Sequence, residues 1–206
     1  MKVLLINGSP HEKGCTYTAL SLIAGELKAQ DIETEILHVG GQPVGGCIGC
    51  GGCRSGNGCV FGGVVNEAIE KAKTADAFVF GSPVHYASAA GNMASFMDRL
   101  AYAGGKYLAY KPAAVCCSAR RAGTTSTLDQ LVKYPQFFHM PLVNGSYWAM
   151  VHGSNPEQVL QDAEGCAVMQ ELGRNMAWLL HCIEAGKAAG IDHPQNPPRP
   201  MTSFIR

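Results

Sequence analysis

Four of the nine cysteines stand in one compact run, Cys47-x2-Cys50-x2-Cys53-x5-Cys59. The linkers are glycine-rich, with Gly45, Gly46, Gly49, Gly51, Gly52, Gly56 and Gly58, and glycine lets a loop wrap one compact object. Structural zinc sites usually pair two C-x-x-C units across a longer spacer. Three thiols at x2 intervals followed by a fourth are closer to the ligation of a cubane [4Fe–4S] cluster. The alternative is a loop that is empty, reduced or disulfide-bonded. Cys15, Cys116, Cys117, Cys166 and Cys182 are scattered and read as small buried hydrophobes.

A second chemical signal is Gly8-Ser9-Pro10-His11-Glu12-Lys13-Gly14-Cys15-Thr16. It follows the apolar run Val3–Ile6 and precedes a helical pattern with Leu20, Ile23, Ala24 and Leu27 on one face. A strand–loop–helix junction presents unpaired N–H groups and the positive end of a helix dipole to an anion. Ser9 and Thr16 add hydroxyls, His11 and Cys15 lie in the same loop, and Gly8 and Gly14 let backbone approach closely. A mononucleotide phosphate is the expected ligand; a capped turn with no ligand is the bland alternative. G-x-x-x-x-G-K-[ST] and G-x-G-x-x-G are both absent, and the run Ile36–Val39 ends in Gly40-Gly41 rather than a carboxylate, which argues against a dinucleotide site.

Two further loops follow strand-like runs: Ser82-Pro83-Val84-His85-Tyr86 and Ser118-Ala119-Arg120-Arg121-Ala122-Gly123. Pro83 fixes a turn, Tyr86 can stack or hydrogen-bond, and the arginines offer donors to a polar ring edge or a phosphate. His85 is a candidate neighbour of such a ring, against the plainer reading of a solvated loop histidine.

The elements that must carry these loops alternate. Strands are expected at Lys2–Asn7, Glu33–Val39, Ala77–Gly81, Pro112–Ser118 and roughly Met140–Tyr147. Helices are expected at Thr16–Ala29, Val64–Lys73, Asn92–Tyr102, Thr124–Tyr134 and Pro156–Ala189. Nearly continuous apolar strands suit a parallel sheet covered on both faces, and five of them with intervening helices make a doubly wound α/β domain. With the NTPase and dinucleotide designs set aside, the flavodoxin type, which holds FMN at its switch point, remains.

The last helix starts well, with Asn155 as cap, Pro156 at the first position and Gln158 closing the box. At about 34 residues it would run ~50 Å, so it either bends or packs on another subunit. Met176, Leu179 and Ile183 would then form an exposed apolar stripe, which predicts a homo-oligomer. Residues 1–190 form the expected domain, carrying the cysteine-rich loop 45–60. Residues 191–206, with four prolines, read as an extended arm or a disordered tail.

With 206 residues, 47% of them apolar, the chain can bury a core without metals or disulfides. Zero net charge and the absence of a Lys/Arg run remove the electrostatic case for nucleic acid or anionic membrane. No signal peptide or membrane span is expected, and cytoplasmic is the default location.

Gly8-Ser9-Pro10, Ser82-Pro83-Val84, Phe96-Met97-Asp98-Arg99 and Cys47-Ile48-Gly49-Cys50 together resemble the NADPH-dependent FMN reductase and iron–sulfur flavoprotein group of flavodoxin-like proteins. The resemblance covers roughly residues 1–150. It implies FMN with its phosphate at Ser9–Thr16 and its ring between the Ser82–Tyr86 and Ser118–Gly123 loops. Ser9, Thr16, Pro83 and Gly123 occupy matching positions. Departures are Cys15 for a common asparagine, His85 for a common aromatic, Ala94 for a frequent lysine, and Gly62-Gly63 for an acidic pair after the last cysteine. The resulting expectation is an FMN-dependent oxidoreductase using NAD(P)H to reduce flavin, quinone or a similar small acceptor. The alternatives are an iron–sulfur flavoprotein relaying electrons between ferredoxin and a small oxidant, or a non-catalytic electron carrier or metal-binding module. Hydride transfer to a flavin needs no general acid or base, so no catalytic side chain is assigned.

Overall fold

The computed structural model describes residues 1–198, 200–202 and 204 of the chain. Strand β1 (Lys2–Asn7) leads to helix α1 (Cys15–Lys28), β2 (Glu33–His38), α2 (Val64–Thr74) and β3 (Ala77–His85). Next come the short strand β4 (Ser88–Ala89), α3 (Gly91–Gly104), β5 (Ala113–Ala119), α4 (Thr124–Phe137) and β6 (Met150–His152). The chain closes with α5 (Pro156–Val159) and α6 (Ala163–Ala188).

The sheet order is β2-β1-β3-β5-β6, all parallel, with β4 pairing antiparallel to the end of β3. Setting β4 aside, this is the doubly wound order of flavodoxin-type domains. Side chains alternate faces along each strand. Val3 and Leu5 of β1 join Leu20, Ile23, Met169, Leu172 and Met176 in one core. Leu4 and Ile6 join Val65, Ile69, Phe78, Phe80, Met93 and Phe96 in the other. Burial on both faces explains why β1 and β3 are almost wholly apolar.

Three expectations are corrected. The Pro156–Ala189 helix is two helices, interrupted at residues 160–162. The Asp162 carboxylate causes the break: Oδ1 accepts Gly165 N–H at 3.0 Å, capping α6, and Oδ2 accepts His152 N–H at 2.7 Å from the end of β6. The expected cap at Asn155 is present, its side chain accepting Gln158 N–H at 2.9 Å, but it starts only the short α5.

The exposed stripe is also absent. Met176 is fully buried, and Leu179 packs against the core beneath α1. Gly173 makes this possible, since a Cβ there would stand 2.8 Å from the Ile23 carbonyl oxygen. Ile183 is half-buried, and the exposed large apolar side chain of this stretch is Trp178.

The strand expected near Met140–Tyr147 lies later. Val143 N–H reaches Ala113 O at 2.9 Å, and the chain then leaves the sheet through Asn144–Trp148 and returns as β6. Glu171 of α6 holds this excursion out by accepting Ser146 N–H at 2.7 Å, a bond that lowers its carboxyl pKa.

Residues 191–198 carry no helix or strand, and Arg199, Ser203, Ile205 and Arg206 lie outside the described residues. Among the described residues, no helix is long and apolar enough to cross a membrane.

Candidate active site

The three segments singled out by residue type stand at the carboxyl ends of β1, β3 and β5, three adjacent strands. Ser82–His85, expected as loop, instead extend β3, and Ser118 and Ala119 complete β5. Ladder bonds carry the register past the strands: Gly8 N–H donates to Gly81 O at 2.9 Å, and Val39 N–H to Asn7 O at 2.9 Å.

The first loop is shaped by a residue that sequence reasoning missed. Asn7 is fully buried; its Oδ1 accepts Ser9 N–H at 3.1 Å and its Nδ2 donates to Glu12 O at 2.9 Å. Ser9, itself 3% exposed, accepts His11 N–H at its Oγ. His38, at the end of β2, hydrogen-bonds through Nε2 to Ser9 O at 2.7 Å. Gly40 packs so closely that a Cβ there would collide with the Ser9 backbone. Gly14 precedes α1 without a side-chain cap, so no side chain occupies the anion-attracting end of the helix. The His11 side chain is exposed.

Thr16 is 1% exposed, and its Oγ1 lies 2.8 Å from Ser118 Oγ. One hydroxyl must donate to the other, so the pair ties the first loop to the third. Cys15 turns away, its Sγ 3.5 Å from Gly153 O, and burial raises its pKa. Burial likewise raises the Cys116 thiol and pushes Cys117 up to about 12, which keeps both as inert core groups.

The second loop is a tight hairpin. His85 pairs with Ser88, leaving Tyr86 (φ 50°) and Ala87 (φ 59°) as a two-residue turn in the left-handed region. Asparagine and glycine are the usual occupants of such a turn. Tyr86 is wholly exposed, His85 is exposed, and Pro83 and Val84 are half-buried. Ser82 is buried, donating to Pro83 O at 2.9 Å and accepting Ala90 N–H at 3.0 Å, which closes the base of the hairpin.

The third loop meets this hairpin directly. Gly123 (φ 92°) has room for no Cβ, which would stand 2.8 Å from Ala87 Cα. Ser126 Oγ donates to Ala87 O at 2.7 Å, and Gln130 Oε1 accepts from Ser88 Oγ and Ala89 N–H. Ala119 is buried, whereas Arg120 and Arg121 are exposed and form no ion pair among the described residues. The three strand-end loops are thus one connected rim. Its uncapped helix end, flanking hydroxyl-bearing residues, exposed aromatic and exposed arginines fit a phosphorylated aromatic ligand such as FMN.

The cysteine loop lies beyond β2, beside this rim. Cys47, Cys50, Cys53 and Cys59 line one cavity of about 450 Å³ together with Arg54, Phe61, Arg99 and Tyr102. Among the described residues, no three His, Cys, Asp or Glu side chains converge at metal-ligand spacing, so the thiols share a cavity without being closed around a point. Four cysteine thiols are the donor set a [4Fe–4S] centre takes, and Arg54 and Arg99 set positive charge beside them.

The loop has little regular structure, only a short 3-10 turn at Gly52–Ser55 bounded by Gly51 (φ 71°) and Gly56 (φ 85°). Three residues hold it, two of them, Asn66 and Asn92, given no role by the sequence and the third, Arg99, known there only as part of the Phe96-Met97-Asp98-Arg99 motif. Asn66 clamps Cys59, accepting its N–H at 2.8 Å and donating to its carbonyl at 3.0 Å. Asn92 accepts Val44 N–H at 3.1 Å and donates to Gly40 O and Gln42 O. Arg99 donates to Cys59 Sγ at 3.2 Å, Gly45 O at 3.3 Å and Gly62 O at 3.0 Å. Arg99 is the one charged residue among the buried positions of α3.

The family model for NADPH-dependent FMN reductases matches residues 1–155, three quarters of the chain. The chain belongs to this family. It is accordingly an FMN-dependent oxidoreductase with a flavodoxin-like fold. An iron–sulfur flavoprotein of Methanocaldococcus jannaschii is 27% identical over 192 residues, covering 89% of this chain and 100% of that one. A flavodoxin from the domain Archaea superposes with a TM-score of 0.60 at 14% identity, over 88% of this chain and 99% of that one. An NADH:FMN oxidoreductase superposes with a TM-score of 0.61 at 19% identity, over 88% of this chain and 89% of that one.

Proposed function

We propose that this FMN reductase family member takes reducing equivalents from NAD(P)H and passes them to a small acceptor such as a flavin or a quinone. The observation that carries the reading is the connected rim: the Thr16–Ser118 hydroxyl pair and the Gly123–Ala87 contact join three strand-end loops into one site. In this reading the uncapped end of α1, with Ser9, His11, Gly14, Cys15 and Thr16, receives the FMN phosphate. Ser82 to Tyr86 and Ser118, Ala119, Arg120 and Gly123 frame the ring. FMN, when bound, accepts hydride at N5 and returns electrons singly or in pairs. The protein's own contribution is placement and access: buried hydroxyls fix the loops, and the exposed Tyr86 side chain stands where an acceptor or nicotinamide would approach.

A second reading, an electron relay, is favoured by the four cysteines around one cavity and by Arg99 against Cys59. Cys47, Cys50, Cys53 and Cys59 would hold a [4Fe–4S] cluster, which exchanges single electrons with a ferredoxin-type partner. The protein named as a relative from Methanocaldococcus jannaschii is itself an iron–sulfur flavoprotein.

One anaerobic experiment separates the two. Rapid mixing with NADH, NADPH or reduced ferredoxin is followed at the flavin band. Bleaching within seconds by a nicotinamide supports the reductase reading. Bleaching by reduced ferredoxin alone supports the relay. A purified protein that neither carries nor takes up FMN overturns both.

Homo-oligomerisation keeps its place in this proposal on a different footing. Ile48, Val60, Phe61 and Tyr102 are exposed apolar side chains gathered around the cysteine cavity, a rim suited to contact with a second copy. A monomer mass by light scattering at micromolar concentration would remove it.

A further inference from the structure

Arg99 is an unusual residue for the helix it occupies. It is 6% exposed, and among the described residues no carboxylate lies within ion-pair distance of it. A buried guanidinium is costly unless its charge is compensated. Its neighbour Asp98 is engaged elsewhere, accepting from Tyr134 Oη at 2.7 Å. The partners Arg99 does have are two carbonyls, the Phe61 ring at 5.6 Å and one sulfur, Cys59 Sγ at 3.2 Å. A positive charge with five donors, buried in a cavity lined by four thiols, lacks an anion of its own.

We propose that Arg99 is the positioning and potential-setting residue of the cysteine loop: its guanidinium is the fixed counter-charge to a cluster held by Cys47, Cys50, Cys53 and Cys59, bonded to the Cys59 sulfur. The inference rests on the cluster reading given above. The physical argument is electrostatic. Reduction of a [4Fe–4S] cluster adds one electron and no proton, so the cluster with its thiolates gains one unit of negative charge. A buried cation donating to a ligand sulfur stabilises that extra charge more than the oxidised state, which raises the reduction potential. The same fork draws Gly45, Cys59 and Gly62 onto α3, so it fixes both ends of the loop. A purely structural clamp would do the second of these things and not the first.

The test uses the full chain, expressed and purified anaerobically, in four forms: wild type, Arg99→Gln, Arg99→Lys and Arg54→Gln. Iron and sulfide are counted, and the cluster midpoint is read by dithionite titration followed by electron paramagnetic resonance, with the flavin bands followed separately. Arg99→Gln is expected to lower the cluster midpoint by at least 59 mV, a tenfold change in a one-electron equilibrium. The FMN midpoint should stay in place. Arg99→Lys, which keeps the charge and loses the fork, should fall between that variant and wild type, and it carries the test if the Gln variant assembles too little cluster to titrate. Arg54→Gln removes an exposed guanidinium from the rim of the same cavity and should shift the midpoint less than Arg99→Gln or Arg99→Lys does. Wild-type cluster potential in both Arg99 variants, at full iron content, would reduce Arg99 to a clamp. Wild type without iron would remove the cluster reading itself, a separate and recognisable failure.

Discussion

The loop after β1 and the loop after β2 leave the sheet from neighbouring strands, and His38 and Gly40 stitch one to the other. They are built on different principles. The first loop carries its own scaffold: Asn7 and Ser9 satisfy its backbone from within, and buried hydroxyls lock it to β5. The second loop, residues 41–63, takes much of its order from outside, from Asn66 on α2 and from Asn92 and Arg99 on α3. Gly45 and Gly49 in it face open space, although Gly52 and Gly58 pack against Val60 and Asn66. Gly8 in the first loop is filled by Met93, and Gly40 at the seam between the loops is filled by the Ser9 backbone. A preorganised loop binds without first having to be ordered. A loop held at a few points can admit an object larger than a side chain and close on it.

The comparison can be broken most forcefully at its glycines. Gly40→Ala drives a Cβ into the backbone of Ser9. Its cost in a urea titration is expected at or above the upper end of the ~1–3 kcal/mol overpacking range, because the colliding atoms are not a flexible side chain. FMN affinity should fall with it. Gly45→Ala, with open space around it, should leave both unchanged. Equal losses in the two variants would erase the distinction.

Next in size is the hydroxyl pair. Thr16→Val leaves the buried Ser118 hydroxyl without its partner and should cost about 1–3 kcal/mol. Adding Ser118→Ala should recover part of that loss, since neither hydroxyl is then stranded. A double mutant as unstable as the sum of the singles would deny the bond a role.

Removing iron sharpens the comparison from the other side. Chelation of anaerobically prepared protein, or Cys50→Ser, should empty the cysteine loop while FMN content stays whole and Tm moves little. A domain that unfolds with loss of iron would show that the cluster organises more than its loop.

The smallest effect expected lies away from both loops. Hydrogen bonds from Lys2 and then Lys71 hold the Glu35 carboxyl below its ordinary pKa of 4.5. That stabilisation is complete above the ordinary value and is lost as pH falls through the lowered one. Glu35→Gln should lower Tm by a few degrees or less at pH 7, and the gap to wild type should close on acidification. A gap that is constant with pH would assign the effect to packing.

How much of this could be read from residues alone follows from what local pattern encodes. Continuous apolar runs and 3.6-residue periods mark β1 to β3, β5 and α1 to α4 to within a few residues, because burial on a sheet face repeats regularly. The break at 160–162 hides because Asp162 sits in a window that remains helical in period, and its capping partners include His152 on another element. β6 is displaced for a similar reason: Glu171 on a distant helix holds Asn144–Trp148 out of the sheet. At the site, cysteine spacing and glycine–serine loops announce themselves by type. Asn7, Asn66 and Asn92 do not, since each acts through tertiary partners that a single polar letter cannot reveal, and Arg99, visible as part of a motif, gives no sign there of its bond to Cys59.

Tyr86 and Ala87 sit in a conformation that costs each of them about 1–3 kcal/mol. Strain of that size brings the hairpin tip closer in free energy to its alternative shapes than the strands behind it are. Amide hydrogens at 86–88 should therefore exchange with solvent while those of β1 and β3 are still protected. The most exposed aromatic of the rim thus rides on a strained turn rather than on a relaxed strand. A ligand arriving there need supply little work to set the angle of the ring it meets.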